Sequence, residues 1–345
     1  MPTQTADDER FMREAITEGE KGLGLTSPNP PVGAIIIQDG EIIGRGHHRK
    51  AGGPHAEVNA IVDAADTEGS TIYVTLEPCS THGQTPPCVE AIKNAGIKRV
   101  VVGATDPNPE HVGAGFQQLR DAGIEVTSGL LEEEANHLIR FFTKRITTGL
   151  PWVIAKTATT LDGRTSLNSS ESQWISSEES REDVQNWRQQ CDAILIGGET
   201  FRRDNPSLTL RGRYAEEGRQ PLRVVLTSSE DIPSEHHLFT DEHAALTRIH
   251  QGFTFQESLE TLANEGVSAV LLESGGRLLA HALKLGFVDE IVLYLAPRLG
   301  GGDTSLIPSP DLGVHLENMQ VDFIGPDIRI VSRVKSSEQS HQSLG

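Results

Sequence analysis

Within residues 54–88, PHAEVNAIVDAADTEGSTIYVTLEPCSTHGQTPPC, the side chains of His55, Glu57, Cys79 and Cys88 stand in an order that specifies a hydrolytic zinc centre. Zinc is four-coordinate, so the imidazole of His55 and the thiolates of Cys79 and Cys88 leave one position open to water. Water held there ionises near neutral pH and can attack a ring carbon that bears an exocyclic amine. Glu57, two residues from His55, is not a ligand; its carboxylate can carry the proton to the departing ammonia. Each piece alone is weak, because an HAE turn occurs in many helices and a cysteine pair is more often two buried thiols. The combination is specific: each pair lies beside a helix start, and the strand TIYVTLE leads directly into Pro78-Cys79. The wide gap between Cys79 and Cys88, in place of the Cys-x-x-Cys of the general deaminase signature, narrows the class.

These residues need a scaffold that brings two helix starts to one place. Phe11, Met12, Ala15 and Ile16 recur at helical spacing and predict a helix over about 7–22. Two β-branched runs flank Asp39-Gly40, a favoured two-residue hairpin turn. Before them lies the rigid loop Ser27-Pro28-Asn29-Pro30-Pro31, in which Asn29 either caps a turn or binds the polar edge of a base. A helix beginning at Pro54, a strand over 71–76, a helix over 88–94 stopped by Gly96, the strand RVVVGA, a helix over 114–122, the strand IEVTSG and a helix over 131–143 follow. Strands alternating with helices predict a three-layer α/β domain.

A chain of 345 residues exceeds what one core usually serves, and the segment TTGLP at 147–151 suits a boundary. The expected organisation is residues 1–147, residues 148–335 and a polar tail over 336–345 that reads as disordered. The second domain opens with the strand PWVIAKTATT, passes through the polar stretch LDGRTSLNSSESQWIS and continues into a helix over 178–190. Two strands then run into glycine pairs followed by helices, at Gly197-Gly198 and Gly275-Gly276. Such turns are either plain turn chemistry or a cradle whose backbone N–H groups hold a pyrophosphate at a helix start. No Gly-x-Gly-x-x-Gly is present, which disfavours a conventional dinucleotide-binding fold.

The formal charge is −19, and acids outnumber bases in both halves, so a phosphate backbone has no basic face to bind and nucleic acid is not an expected partner. A small phosphorylated substrate needs only a few placed arginines or lysines. No apolar run is long enough to span a membrane, and the acidic start MPTQTADDERFMREA does not resemble a signal peptide, so a cytoplasmic location is expected. The third cysteine, Cys191, reads as a buried strand thiol.

The chain resembles the RibD family, the bifunctional deaminase–reductases of riboflavin biosynthesis. The resemblance covers nearly the whole length, through TSPNPPVGAIIIQDGEIIGRGHH, PHAEVNA, VTLEPCSTHGQTPPC, DPNP, KTATTLDGRT, ESQWIS, DAILIGGETFRRDNPSLTLR and VDEIVLYLAPRLGGGD. It implies a cytidine-deaminase-like first domain that hydrolyses the 2-amino group of 2,5-diamino-6-(5-phosphoribosylamino)pyrimidin-4(3H)-one, with Zn2+ on His55, Cys79 and Cys88 and Glu57 as proton carrier. It implies a dihydrofolate-reductase-like second domain that uses NADPH to reduce the ribosyl group of the uracil product to ribityl. By the same resemblance Ala158, Trp174, Thr200, Asp204 and the run Gly275, Gly276, Arg277, Leu278, Leu279, Ala280 and His281 match residues lining the NADPH site. Ser172, Arg188, Leu208, Arg211 and Glu273 match residues around the substrate of the second domain, and Asn29, read from its place in the loop, is the substrate-binding candidate of the first. Arg188 and Arg211 can each pair bidentately with phosphate. Family habit implies a homo-oligomer. Three positions depart from the pattern: Thr81 and Gln84 stand where a histidine and a basic residue are usual, and Thr160 where a serine is usual. The alternative expectation is a deaminase of a free base or nucleoside with a decayed, binding-only C-terminal domain.

Overall fold

A computed structural model describes residues 6–81, 86–166, 174–217, 219–301, 305–308 and 312–335. Ser172, Gln84 and the tail at 336–345 lie outside the described residues. The chain divides into two compact units, Met1–Leu150 and Pro151–Gly345.

The first unit contains α1 (Ala6–Glu20), β1 (Gly33–Gln38), β2 (Glu41–His47), α2 (Ala56–Asp63), β3 (Thr71–Leu76), α3 (Cys88–Asn94), β4 (Arg99–Ala104), α4 (Ala114–Asp121), β5 (Glu125–Ser128), α5 (Glu132–Leu138) and α6 (Arg140–Thr148). Its sheet runs β2-β1-β3-β4-β5, with β1 antiparallel to both neighbours and β3, β4 and β5 parallel. Alternate strand residues face opposite sides, and this period of two builds the layers. Ala34, Ile36, Ile72, Val74, Val100 and Val102 pack against the apolar residues of α2, α3 and α4. Ile35, Ile37, Tyr73 and Val101 point the other way, onto Phe11, Met12, Ala15 and Ile16 of α1. The hairpin turn has φ of 50° at Asp39 and 83° at Gly40, the left-handed pair that a two-residue turn of this type requires.

Two expectations about local structure are corrected. The helix over 131–143 is two helices, because Ile139 leaves helical geometry at φ −94°, ψ 10° between α5 and α6. Cys191 is not on a strand: it caps the C-terminus of α7 and is buried there, ahead of the next strand.

The second unit contains β6 (Trp152–Thr160), α7 (Glu178–Gln190), β7 (Ala193–Gly197), α8 (Gly198–Asp204), α9 (Arg213–Glu217), β8 (Leu222–Thr227), α10 (His237–Thr240), β9 (Thr247–Gln251), α11 (Phe255–Asn264), β10 (Ala269–Leu272), α12 (Gly276–Lys284), β11 (Glu290–Ala296), β12 (Leu316–Ile324) and β13 (Asp327–Val334). The sheet order is β12-β13-β11-β6-β10-β7-β8-β9, parallel from β11 to β9 and closed at the other edge by an antiparallel hairpin. The strand order therefore reverses around β6 and β10. The carboxyl ends of the neighbouring strands β7 and β10 carry the two glycine turns, at the kind of switch point where open α/β sheets bind ligands. Among the described residues, no helix is long and apolar enough to cross a membrane.

Candidate active site

His55 caps the N-terminus of α2 with extended backbone, and Glu57 follows in its first turn. Cys79 lies just beyond the end of β3, and Cys88 is the first residue of α3. The Cys88 backbone N–H donates to Cys79 Sγ at 3.2 Å, and Val89 N–H donates to the Cys79 carbonyl. His55 Nδ1 lies 3.2 Å from Cys88 Sγ and 3.5 Å from Cys79 Sγ, and all three ligand atoms fall within 4.8 Å of one another. One imidazole and two sulfurs converging at two helix starts are the donor set of a catalytic zinc site, where the positive helix ends favour thiolates.

The electrostatics agree. A hydrogen bond from Cys88 draws the Cys79 thiol down to about 4, against burial and with help from His55. The Cys88 thiol is pushed the other way, by the same hydrogen bond and by burial. The metal-free site thus keeps a proton that metal binding must release. Glu57 is 3% exposed, and burial pushes its carboxyl up to about 7, with His55 pulling it down and Cys79 adding to the rise. A carboxyl poised there can both take and give a proton near neutral pH.

These groups floor a cavity of about 640 Å³ whose lining includes Asn29, His48, Glu77, Ser80, Thr81, Asp106, His111 and Phe142. His48 and Glu77 are among the lining residues that were not singled out from the sequence. The buried His48 ring contacts the Pro54 carbonyl through Nδ1 at 3.0 Å and Asn29 Nδ2 through Nε2 at 3.2 Å. With Nδ1–H donating to that carbonyl, Nε2 accepts from the Asn29 amide, and burial holds the ring below its ordinary pKa so that it stays neutral. The Asn29 side chain is thereby oriented, with its oxygen and one N–H left for a base. Glu77, 6% exposed, accepts from the backbone N–H groups of Asp106, Gly113 and Gly115 at 3.3, 3.0 and 3.0 Å, which fixes the loop over the cavity. A carboxylate set between an apolar strand and Pro78-Cys79 was the available signal for it.

In the second unit, Glu273 follows β10 and is gripped by Arg188 of α7, Nε to Oε1 at 2.5 Å and Nη2 to Oε2 at 3.0 Å. Arg188 Nη1 also donates to the Thr209 carbonyl. Burial would raise the Glu273 carboxyl, but Arg188, Lys156 and Arg211 together hold it below the usual range, so it stays ionised. Arg188 therefore spends its fork on Glu273, and Arg211, exposed, is the open one of the two arginines. Leu208 is buried beside them in left-handed backbone, φ 51°. Lys156 of β6, whose ammonium burial pushes down, was missed because β6 reads as an ordinary strand.

The first glycine turn packs closely against its neighbours. A Cβ on Gly197 would lie 3.4 Å from Leu278 Cδ2 of α12, and one on Gly198 would lie 2.3 Å from Thr227 Oγ1. Thr200 and Asp204 ride on α8, with Asp204 exposed and paired to Arg203. Of the run from Gly275 to His281, the side chains of Leu279 and Ala280 are buried, while Gly275, Arg277 and His281 are exposed. Ala158 is half-buried on β6, and Trp174 is 60% exposed beneath the Arg181 guanidinium, so Trp174 is no core residue.

Fold and site define a zinc-dependent deaminase unit joined to a second α/β unit with a glycine-turn cradle. Residues 5–104 match the family described as the cytidine and deoxycytidylate deaminase zinc-binding region, and residues 151–330 match the RibD C-terminal domain. The chain is 38% identical to the riboflavin biosynthesis protein RibD of Escherichia coli K12, over 93% of this chain and 98% of that protein. Among solved structures, Acinetobacter baumannii RibD superposes with a TM-score of 0.87 at 37% identity, covering 96% of this chain and 99% of that one. The diaminohydroxyphosphoribosylaminopyrimidine deaminase/5-amino-6-(5-phosphoribosylamino)uracil reductase of Thermotoga maritima gives 0.83 at 34%, covering 94% and 98%. The chain belongs to the RibD family, the bifunctional deaminase–reductases of riboflavin biosynthesis. Both halves are present, which favours the bifunctional enzyme over a deaminase with a decayed partner.

Glu57 carries a stability consequence. Its folded value near 7 lies above the ordinary carboxyl value of 4.5, so the native state favours the protonated form. That contribution is complete below about pH 4.5 and is lost as pH rises through about 7. In zinc-free protein, Glu57→Gln is expected to be more stable than wild type at pH 8 by on the order of 3 kcal/mol, and equal to it at pH 4.5. Urea denaturation after chelator treatment, following the deaminase unit, measures this; a difference that does not change with pH would contradict the burial of the charge.

Proposed function

We propose that the first unit deaminates 2,5-diamino-6-(5-phosphoribosylamino)pyrimidin-4(3H)-one and that the second reduces the ribosyl group of the resulting 5-amino-6-(5-phosphoribosylamino)uracil. The observation that carries this is the convergence of His55, Cys79 and Cys88 beside the buried Glu57 at the floor of one cavity. Zinc, when bound by those three side chains, supplies Lewis-acid activation of water. The chain's own residues do the rest. Asn29, oriented by His48, holds the polar edge of the ring. The Glu57 carboxylate takes a proton from the attacking water and returns it to the exocyclic nitrogen, so that C–NH2 and water become C=O and ammonia.

In the second unit NADPH, when bound, supplies the hydride. The backbone at Gly197-Gly198 and along Gly275–His281, at the carboxyl ends of β7 and β10, is the proposed cradle for its phosphates, with open space where a Cβ on Gly276 would point, and Ala158, Trp174, Thr200 and Asp204 complete that lining. Glu273, kept ionised by Arg188, faces the substrate together with Leu208, and Arg211 is the cation for its 5′-phosphate. Ser172 belongs to the same proposed set.

We also propose a cytoplasmic homo-oligomer. Two unbridged cysteines within ligand distance suit a reducing compartment. Edge strand β12 exposes Met319, Val321 and Phe323, at 58, 56 and 78%, an apolar face suited to burial against a second copy.

Purified zinc-loaded protein given the diaminopyrimidine phosphate is expected to accumulate the uracil without NADPH and the ribityl product with it, each followed by mass. Glu57→Gln is expected to keep zinc and lose deamination by at least about 100-fold, the range of general acid–base catalysis. No turnover in either condition would overturn the function. Light scattering is expected to give more than one chain per particle, and Phe323→Lys to lower that number; a monomeric wild type would remove the oligomer.

A further inference from the structure

The deaminase cavity must accept a phosphate, and its walls are poorly furnished for one. The described residues that line it include the carboxyl groups of Glu57, Glu77 and Asp106, and among them is neither a lysine nor an arginine. The sequence already shows Thr81 and Gln84 where this loop usually has a histidine and a basic residue. The N-terminus of α4 does not substitute, because the Gly113 and Gly115 N–H groups are both taken by Glu77.

Among the described residues three histidines line the cavity, and two are committed. His48 bridges the Pro54 carbonyl and Asn29, and His55 faces the two sulfurs. His111 is different: among the described residues its ring has no hydrogen-bond partner, and it is half-buried on the cavity wall. Its backbone is firmly placed. The His111 N–H donates to the Asn108 carbonyl at 3.0 Å, the Asn108 N–H to Asp106 Oδ1 at 2.8 Å, and the Asp106 N–H to the buried Glu77. The loop therefore places the His111 imidazole on the cavity lining, with the Ser80 and Thr81 hydroxyls on the same lining. Ring N–H donors and hydroxyls suit phosphate oxygens.

We propose that His111 is a substrate-specificity residue of the deaminase half, receiving the 5′-phosphate in place of the basic side chain that the cysteine loop lacks. This rests on the phosphorylated substrate proposed above. His111 acts on binding and takes no part in proton transfer, so its loss moves KM and leaves kcat.

The test compares deamination of the phosphorylated diaminopyrimidine with that of the same compound after phosphatase treatment, in zinc-loaded wild type, His111→Ala and His111→Lys. For His111→Ala the KM of the phosphorylated compound is expected to rise about 10-fold to 100-fold, the span of a hydrogen bond to a charged group. Its kcat, zinc content and KM for the dephosphorylated compound are expected to stay at wild-type values, and His111→Lys to restore the phosphate preference. If wild type prefers the phosphorylated compound and His111→Ala retains that preference, the assignment to His111 is overturned while the substrate stands. A KM that rises equally for both compounds would also overturn it, by showing that His111 positions the ring or the loop. A wild type that deaminates both compounds equally well would overturn the phosphorylated substrate and this assignment together.

Discussion

The approach of α2 to β2 is the contact on which the deaminase centre depends. A Cβ on Gly44 would lie 2.4 Å from the Ala60 carbonyl oxygen, and one on Gly46 would lie 2.3 Å from that of Ala56, so only glycine lets the helix settle this close. The Asn59 amide then donates to the His47 carbonyl at 2.8 Å and ties helix to strand. This seating fixes where α2 begins, and with it both His55 and Glu57. The sulfurs arrive independently, from the end of β3 and the start of α3, two elements set by the parallel pairing of β3 with β4 and by the core beneath α3. Displacing α2 would part the imidazole from the thiols.

The two units solve the same problem, an ionisable group kept out of water, in opposite ways. Glu57 is buried so that desolvation outweighs the pull of His55, and its proton affinity rises to a value useful for proton transfer. Glu273 is half-buried with Arg188 in a two-point pair and is held charged. One carboxyl can exchange a proton near neutrality, whereas the other presents a lasting negative charge beside Arg211. The split accords with hydrolysis in one half and with substrate orientation around hydride transfer in the other.

Much of this was legible in the residues, and the limits are physical. The strand over 71–76 and the helices over 88–94 and 178–190 coincide with β3, α3 and α7, because their apolar periods are undisturbed and their ends carry clear stop signals. The helix over 131–143 did not survive, since no glycine or proline marks the break at Ile139. The antiparallel pair β12 and β13 was not anticipated: β12 is exposed along nearly its whole length, so burial imposes no alternation on its sequence. At the sites, the metal donors were readable from spacing, as ligand chemistry demands particular residue types. Long-range partnerships were not. Arg188 and Glu273 stand 85 positions apart, and only the register of the second sheet brings them together, so Arg188 looked like an open phosphate ligand. His48 gave no sign that it would orient Asn29, nor Glu77 that it would hold three backbone N–H groups.

The central claim is that His55, Cys79 and Cys88 hold one zinc ion with a position left for water. X-ray absorption at the zinc edge of the purified protein, with metal content measured on the same sample, tests it most directly. The expected result is one zinc per chain with two sulfurs at about 2.3 Å and two lighter atoms, one of them imidazole nitrogen, at about 2.0–2.1 Å. Three or four sulfurs in the shell, or a wild-type level of zinc in Cys88→Ser, would contradict it.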